Sequence, residues 1–518
     1  MSMTNETAAN PKSASTLPQM IRAAAAIYGD GVAVTLLGEG VPDESVTFRD
    51  VERQSAKLAR GLIARGVGKG SRIGFIYGNS PSFAVILAAI TRIGAIAVPI
   101  STMIRSNELV RVLRQSDIGG LIVQRRFLSN DYAERVIDAL PELRDGDGPE
   151  LRIARVPFLR WIVSSGEGLA ATIHDTGFLT DAAETVTEEL LREMETEVHA
   201  TDQMVEIYTS GSMALPKGVK HLHGPVMQRC QYIARMTGRE PGCEITAMNP
   251  MFWVGGMGLF LLASWVGGAT TICTERTVSN SRIAMGSVLA EEDLKLMALA
   301  KPYWGLGMSE TFGPYSYGDE LRAPGYPLCA PLDHIADGFE VRVADENNSP
   351  VGDGAIGEIQ VRGYAVAPAL HKLEREGYYT ADGFYRTGDR GLVEGRRINF
   401  VGRGGDMIKA AGSNVSPAEV ELEMQQLEGI HNAYVVGLPD SERGQLVVAA
   451  VIPRDGVVLD FKHIQAQLKQ RLSSYKVPRL YVEITREEVP MLHSNKVSRR
   501  LLEALLAEKL GRGTDLSV

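Results

Sequence analysis

The stretch Tyr208-Thr-Ser-Gly-Ser-Met-Ala-Leu-Pro-Lys-Gly218 constrains this chain most. It follows the apolar-acidic run Met204-Val-Glu-Ile207, which reads as a strand. A strand that runs into a loop of small residues exposes backbone N–H groups, and such a nest of amides binds anions. Thr209, Ser210 and Ser212 add hydroxyls, Gly211 lets the backbone approach closely, and Lys217 adds positive charge. The chemistry that fits is a nucleotide polyphosphate. A plain Ser/Gly turn is the alternative for such a stretch taken alone. The spacing from Gly211 to Lys217 resembles G-x-x-x-x-G-K-[ST], but Pro216 stands in place of its second glycine and Gly218 in place of its magnesium-binding hydroxyl. The loop is of another design.

At 518 residues the chain exceeds one compact core, so more than one domain is expected. A net charge of −9 and the lack of a long basic run argue against nucleic acid as the main partner. Cys230, Cys243, Cys273 and Cys329 have no C-x-x-C spacing, which speaks against a zinc site or redox pair and suits a reducing, cytoplasmic setting. The segment Met251 to Cys273 is nearly uncharged, but Pro250 and five glycines make it read as a buried helix and strand. Peripheral membrane contact and self-association stay open.

The expected fold class is α/β. Residues 1–17 read as a disordered lead-in and residues 18–402 as a large N-terminal domain of mostly parallel sheets. Thr47 is a plausible helix cap with Asp50 three residues on. The runs 72–77, 95–100 and 117–123 read as buried strands, with a helix from Pro81 to Gly94, which is a βαβ pattern. Phe339–Ala344 and Gly357–Arg362 alternate like half-exposed antiparallel strands, so a small antiparallel sheet or barrel follows. Gly402-Arg-Gly-Gly405 reads as a hinge, placed at 403–406. Residues 407–518 then form a small mobile α+β domain, with Ser416-Pro-Ala-Glu419 as a capping box, strands at 435–436 and 446–452, and a helix over 461–472.

Four more motifs follow the first in order: Gly307-Met-Ser-Glu310, Tyr385-Arg-Thr-Gly-Asp389, Gly402-Arg-Gly-Gly-Asp-Met-Ile-Lys-Ala-Ala-Gly412 and Ser494-Asn-Lys-Val-Ser-Arg-Arg500. With these five, from about residue 20 to 510, the chain resembles the adenylate-forming superfamily of acyl- and aryl-CoA synthetases, luciferases and peptide-synthetase adenylation domains. The resemblance implies ATP, Mg²⁺ and coenzyme A. A carboxylate joins the α-phosphate of ATP, pyrophosphate leaves, and the acyl group passes to a thiol. Lys496 matches the lysine that reaches the acyl carboxylate and phosphate, and Glu310 the acid that holds Mg²⁺. Ser309 stands for a hydroxyl beside it. Asp389 matches the acceptor of the ribose hydroxyls, and Arg403 the hinge arginine near them. In the superfamily the C-terminal domain rotates after adenylation. One face carries the Lys496 equivalent, and the other brings up the segment of Lys409, Gly412 and the hinge residues Gly405 and Asp406 for thioester formation.

This chain also departs from that pattern. Met213 replaces a hydroxyl, Ala214 and Asn495 replace glycines, and Gly405 replaces an acid or lysine. Leu306 stands where an aromatic ring packs on adenine, which implies weaker stacking. The stretch from Gly268 to Gly307 is short, with a helix and a strand expected to be missing around Thr277-Val-Ser-Asn280. Pro250-Met-Phe-Trp-Val-Gly-Gly256 matches the border of the carboxylate pocket, with Trp253, Gly255 and Gly256 as acyl-pocket residues. Trp253 replaces the aspartate that amino-acid-activating members use, and an unpaired ammonium there would be costly. The expectation is an acyl-CoA synthetase for a medium- or long-chain fatty acid or another bulky apolar acid. Two alternatives stand beside it: loading of a carrier-protein pantetheine, and an impaired member that binds nucleotide or acyl-CoA without turnover.

Overall fold

A computed structural model of the chain describes residues 10–38, 42–146, 148, 150–209, 216–274, 303–304, 306–318, 334–395, 397–403, 407–410, 412–415, 417–490, 497 and 499–511. The centre of the large lobe is a six-stranded sheet. Its order is Lys217–Leu222, Gln203–Thr209, Ile96–Pro99, Arg72–Ile76, Gly120–Val123 and Trp161–Ser164. Every neighbouring pair is parallel except the first. Three of the strands are buried at every residue, as expected where helices cover both faces of a parallel sheet. The helix Pro81–Thr91 is buried at all positions but Ser82 and is capped by Ser80, whose hydroxyl accepts from Phe83 N–H.

A four-stranded sheet lies beside this one, in the order Glu244–Thr246, Thr270–Thr274, Val32–Leu37 and Glu44–Thr47, with only its last pair antiparallel. Thr47 ends that strand and caps the helix Phe48–Ala64 in a reciprocal box with Asp50. Arg92 is fully buried and joins this helix to Glu188–Thr196, through Glu52 and Glu195. The lead-in expected to be disordered through Leu17 is ordered from Asn10 onward. Gln231 Nε2 donates to Ala14 O at 2.8 Å, and Leu17 N–H donates to His223 Nδ1 at 3.2 Å, so one part-buried and one buried contact anchor it. The apolar run after Pro250 forms the π-helix Gly255–Leu262, the helix Ala263–Gly267 and the strand Thr270–Thr274. Among the described residues no helix is long and apolar enough to cross a membrane. The residues where a missing helix and strand were expected, 277–280, lie outside the described residues.

An antiparallel sheet of four strands follows, Phe339–Ala344, Ile356–Gly363, Tyr385–Glu394 and Arg397–Arg403. The C-terminal lobe holds a third mixed sheet, with Ile430–Asp440 and Gly444–Pro453 as its long central pair. Val447, Ala449 and Val451 face one apolar cluster with the helices Pro417–Gln425 and Phe461–Arg471. Val448, Ala450 and Ile452 face a second cluster with Arg499–Lys509. Alternate side chains point to opposite faces, so a strand covered on both sides reads as one continuous apolar run. Neither cluster merges with the core of the large lobe.

Replacing Thr47 with Ala removes the hydroxyl that accepts from Asp50 N–H and leaves only the bond from the backbone N–H of residue 47 to the Asp50 carboxylate. The expected loss is about 1 kcal/mol of stability, read as a lower urea midpoint at unchanged m-value.

Candidate active site

The strand Gln203–Thr209 enters the phosphate loop and Lys217–Leu222 leaves it, with Thr209 directly opposite Lys217. Ser210, Gly211 and Ser212 lie outside the described residues. At the loop's entry Tyr208 donates its hydroxyl to Glu206 Oε1 at 2.7 Å, and burial together with that carboxylate pushes the phenol's pKa far up. Glu206 is fully buried, and it is paired with Arg72 at 3.4 Å. Gly218 packs tightly here, because a Cβ would come within 2.8 Å of Tyr208 Cζ and 2.9 Å of both Glu206 Oε1 and His371 Cβ. At the exit Lys217 Nζ sits 4.4 Å from the centre of the Tyr378 ring, a cation–π contact.

The second wall is a tight hairpin. Gly307–Met308 pairs with Gly313–Pro314, and Ser309–Thr311 forms a single 3₁₀ turn between them. Thr311 closes the turn, accepting from Met308 N–H at 3.1 Å and donating to Gly313 O at 2.6 Å. Phe312 is held at φ +47°, which is costly for a non-glycine residue. The ring is fully buried against His221 at 4.8 Å, with Gly258 leaving room for it. This packing fixes the turn that presents Ser309 and Glu310. Glu310 is buried, and its Oε1 accepts from the Tyr385 hydroxyl at 2.7 Å. His221 Nε2 donates to Ser309 O at 2.7 Å, and complete burial pushes its pKa down to about 4. The ring is therefore neutral at pH 7, with its proton on the nitrogen that faces the carbonyl.

The third wall comes from the antiparallel sheet. Thr387-Gly388-Asp389 turns with Gly388 at φ +73°, and Gly388 N–H donates to Glu358 Oε1 at 3.0 Å. Asp389 pairs with Arg403 across adjacent strands, so the two residues assigned to the ribose are backbone neighbours.

These walls enclose a cavity of about 730 Å³. Thr209, Lys217, Ser309, Glu310 and Asp389 line it from the large lobe, and Lys409 and Gly412 from the C-terminal lobe. Trp253 and Gly255 line it too, with Phe252, Val254 and Leu259. The fit differs in two places from the sequence expectation. Gly256 does not line the cavity; a Cβ there would come within 2.0 Å of Pro250 O, so this glycine serves the packing of the π-helix. Leu306 is buried in the core rather than set against the cavity. Its N–H donates to Ser316 Oγ at 2.7 Å. Lys496, Gly405 and Asp406 lie outside the described residues.

The family description AMP-binding enzyme matches residues 21–304, and AMP-binding enzyme C-terminal domain matches residues 419–496. The chain belongs to the AMP-binding enzyme family. It is 28% identical to a feruloyl-CoA synthase of an Amycolatopsis species, over 88% of this chain and 92% of that protein. It is 26% identical to the putative acyl-CoA synthetase YngI of Bacillus subtilis, over 94% of this chain and 96% of that protein. The amide bond synthetase McbA of Marinactinospora thermotolerans shares its fold, with a TM-score of 0.71 at 21% identity over 95% of this chain and 99% of that one. The chain is an enzyme, an AMP-forming acid–thiol ligase of the acyl- or aryl-CoA ligase type. Ligases of this type use ATP and coenzyme A.

His221 gives this AMP-binding enzyme an acid-labile element. Below the ordinary histidine pKa of about 6.5 the unfolded chain takes up a proton that the native ring refuses until about pH 4. Stability is therefore lost as pH falls across that window. Between pH 6.5 and 5 this one residue costs about 2 kcal/mol. A His221→Gln variant keeps a donor for Ser309 O and is expected to lose less stability over that interval than the wild type in urea unfolding at the two pH values.

Proposed function

We propose that this enzyme activates an apolar carboxylic acid, aromatic or aliphatic, with ATP, and then transfers the acyl group to the thiol of coenzyme A. The observation that carries this reading is the cavity at the lobe boundary. Its polar wall holds Thr209, Lys217, Ser309, Glu310 and Asp389, and its apolar wall Phe252, Trp253, Val254 and Leu259. Named relatives support the aromatic side of the range. Among them are an indoleacetate–CoA ligase of Aromatoleum aromaticum and a 4-chlorobenzoate–CoA ligase of an Arthrobacter species. A medium-chain acyl-CoA ligase of the mouse supports the aliphatic side.

In this reading Thr209 and Lys217, with Ser210, Gly211 and Ser212, grip the polyphosphate of ATP. The cationic Lys217 offsets the repulsion between carboxylate and phosphate, where charge stabilisation is worth most. Asp389 accepts from the ribose hydroxyls, and Arg403 on the neighbouring strand lies beside it. Trp253 and Gly255 border the acyl group, and position 253 carries an indole rather than an acid that could pair with an amino group. Glu310 is the one residue assigned to Mg²⁺. A buried carboxylate oriented by Tyr385, with substrate phosphates close by, fits a cation that takes one or two carboxylates and keeps waters and phosphate oxygens. When bound, Mg²⁺ neutralises phosphate charge. Lys496 serves adenylation. Lys409 and Gly412, already at the cavity, serve the thioester step with the hinge residues Gly405 and Asp406.

Two variants test these roles. Lys496→Ala is expected to abolish pyrophosphate release with acid and ATP, while thioester formation from a supplied acyl-adenylate continues. Loss of both half-reactions with the fold intact contradicts the division of labour. Asp389→Ala is expected to raise the Kd for ATP about tenfold or more, the cost of a lost charged hydrogen bond, in equilibrium binding; an unchanged Kd removes Asp389 from the site. AMP release from a panel of acids, with coenzyme A or a carrier pantetheine as acceptor, identifies the substrate and the thiol.

A further inference from the structure

The boundary between the lobes carries a cluster of charges, several of which (Glu108, Arg111, Glu419 and Lys476) also line the cavity, and none of the roles assigned above uses them. On the large lobe it is presented by the helix Ser106–Gln115, where Glu108 and Arg111 are one turn apart and share a face. On the C-terminal lobe it comes from the helix Pro417–Gln425 and the turn after Phe461–Arg471. Lys476 Nζ donates to Glu108 Oε1 at 2.6 Å and to Glu419 Oε1 at 2.9 Å. Ser473 Oγ donates to Glu108 Oε2 at 2.7 Å. Arg111 pairs with Glu423, which also faces Arg471 at 3.8 Å. Glu108, Glu419, Glu423 and Lys476 are all buried.

The charges balance, with three carboxylates against three cations. They also divide in a way suited to separation. Lys476–Glu419 and Arg471–Glu423 lie within the C-terminal lobe and travel with it. Glu108–Lys476, Glu108–Ser473 and Arg111–Glu423 cross the boundary and must break when the lobes part. After such a break the moving lobe keeps a partner for each of its own buried charges, and water takes up Glu108 and Arg111. A seam of this kind holds firmly when closed, yet it opens without stranding a charge in the interior.

We propose that Glu108 and Arg111 are positioning residues that fasten the C-terminal lobe in the arrangement that puts Lys409 and Gly412 at the cavity. They act by biasing the domain equilibrium toward thioester formation, and they touch no reacting atom. This rests on the reading that a thioester step follows adenylation at the same cavity.

The test uses the full-length enzyme and the variants Glu108→Gln and Arg111→Met, which remove one crossing bond each from separate residues. Two half-reactions are measured, pyrophosphate release without coenzyme A and thioester formation from a supplied acyl-adenylate with coenzyme A. Interlobe distances are measured in parallel between spin labels on unnatural amino acids at Leu190 and Val458, both exposed. The expected result is a thioester rate lower by about tenfold in each variant, unchanged pyrophosphate release, and a distance distribution shifted from the wild-type maximum. Distances that superimpose on the wild type in both variants overturn the proposal. So does an equal fall of both half-reactions in both variants. A wild-type enzyme that shows the closed distance but transfers nothing to coenzyme A contradicts the thioester reading instead, and the variant distances still decide the seam.

Discussion

Among the described residues, the two lobes of this enzyme meet through charge rather than through a shared apolar core. Lys476 lies between Glu108 and Glu419, and Arg111 meets Glu423, while the apolar clusters of the C-terminal lobe stay separate from the core of the large lobe. An extended apolar interface would weld the lobes, whereas a polar one of modest size permits relative motion. The cavity depends on this contact, since Lys409 and Gly412 line it only from the docked C-terminal lobe. The helix that carries Glu108 also carries Gln115, whose amide donates to Pro216 O at 2.6 Å where the phosphate loop ends. One short helix thus contacts both the docked lobe and Pro216, just before the strand that begins at Lys217.

The remainder of the site is made rigid by local means. The loop between Thr209 and Lys217 opens at the carboxyl end of a buried strand, the usual place for a ligand in an open α/β sheet. The Glu310 turn is held by a left-handed Phe312, and the neutral His221 supports both the ring and Ser309 O. Backbone strain of this kind persists only where the surroundings over-determine it, and here it fixes the one carboxylate assigned to the metal. Tyr385, from the antiparallel sheet, closes the set by donating to Glu310.

Much of this was legible in the sequence, because its carriers are local. Thr47 with Asp50 announces a helix start, the alternation of 339–344 a half-exposed strand, and the unbroken run 446–452 a strand covered on both faces. The order of the short motifs identifies the family. What stayed hidden depends on contacts between distant residues. Glu108 and Lys476 are ordinary charges in the sequence, and nothing nearby shows that they pair. Glu419 reads as half of a capping box, yet its carboxylate receives Lys476. Leu306 reads as a poor adenine platform, and the fold instead buries it in the core. Gly256 reads as a pocket residue, but a close approach to Pro250 O explains it.

The central claim is that ATP is bound at the boundary of the lobes, between the phosphate loop and the Glu310 and Asp389 walls. A crystal structure with AMP and the acid bound tests it most directly. The account predicts the ribose hydroxyls on Asp389, the phosphate between Thr209 and Lys217 on one side and Glu310 on the other, and the acid against Trp253. Nucleotide bound at any other surface, with this cavity empty, would contradict it.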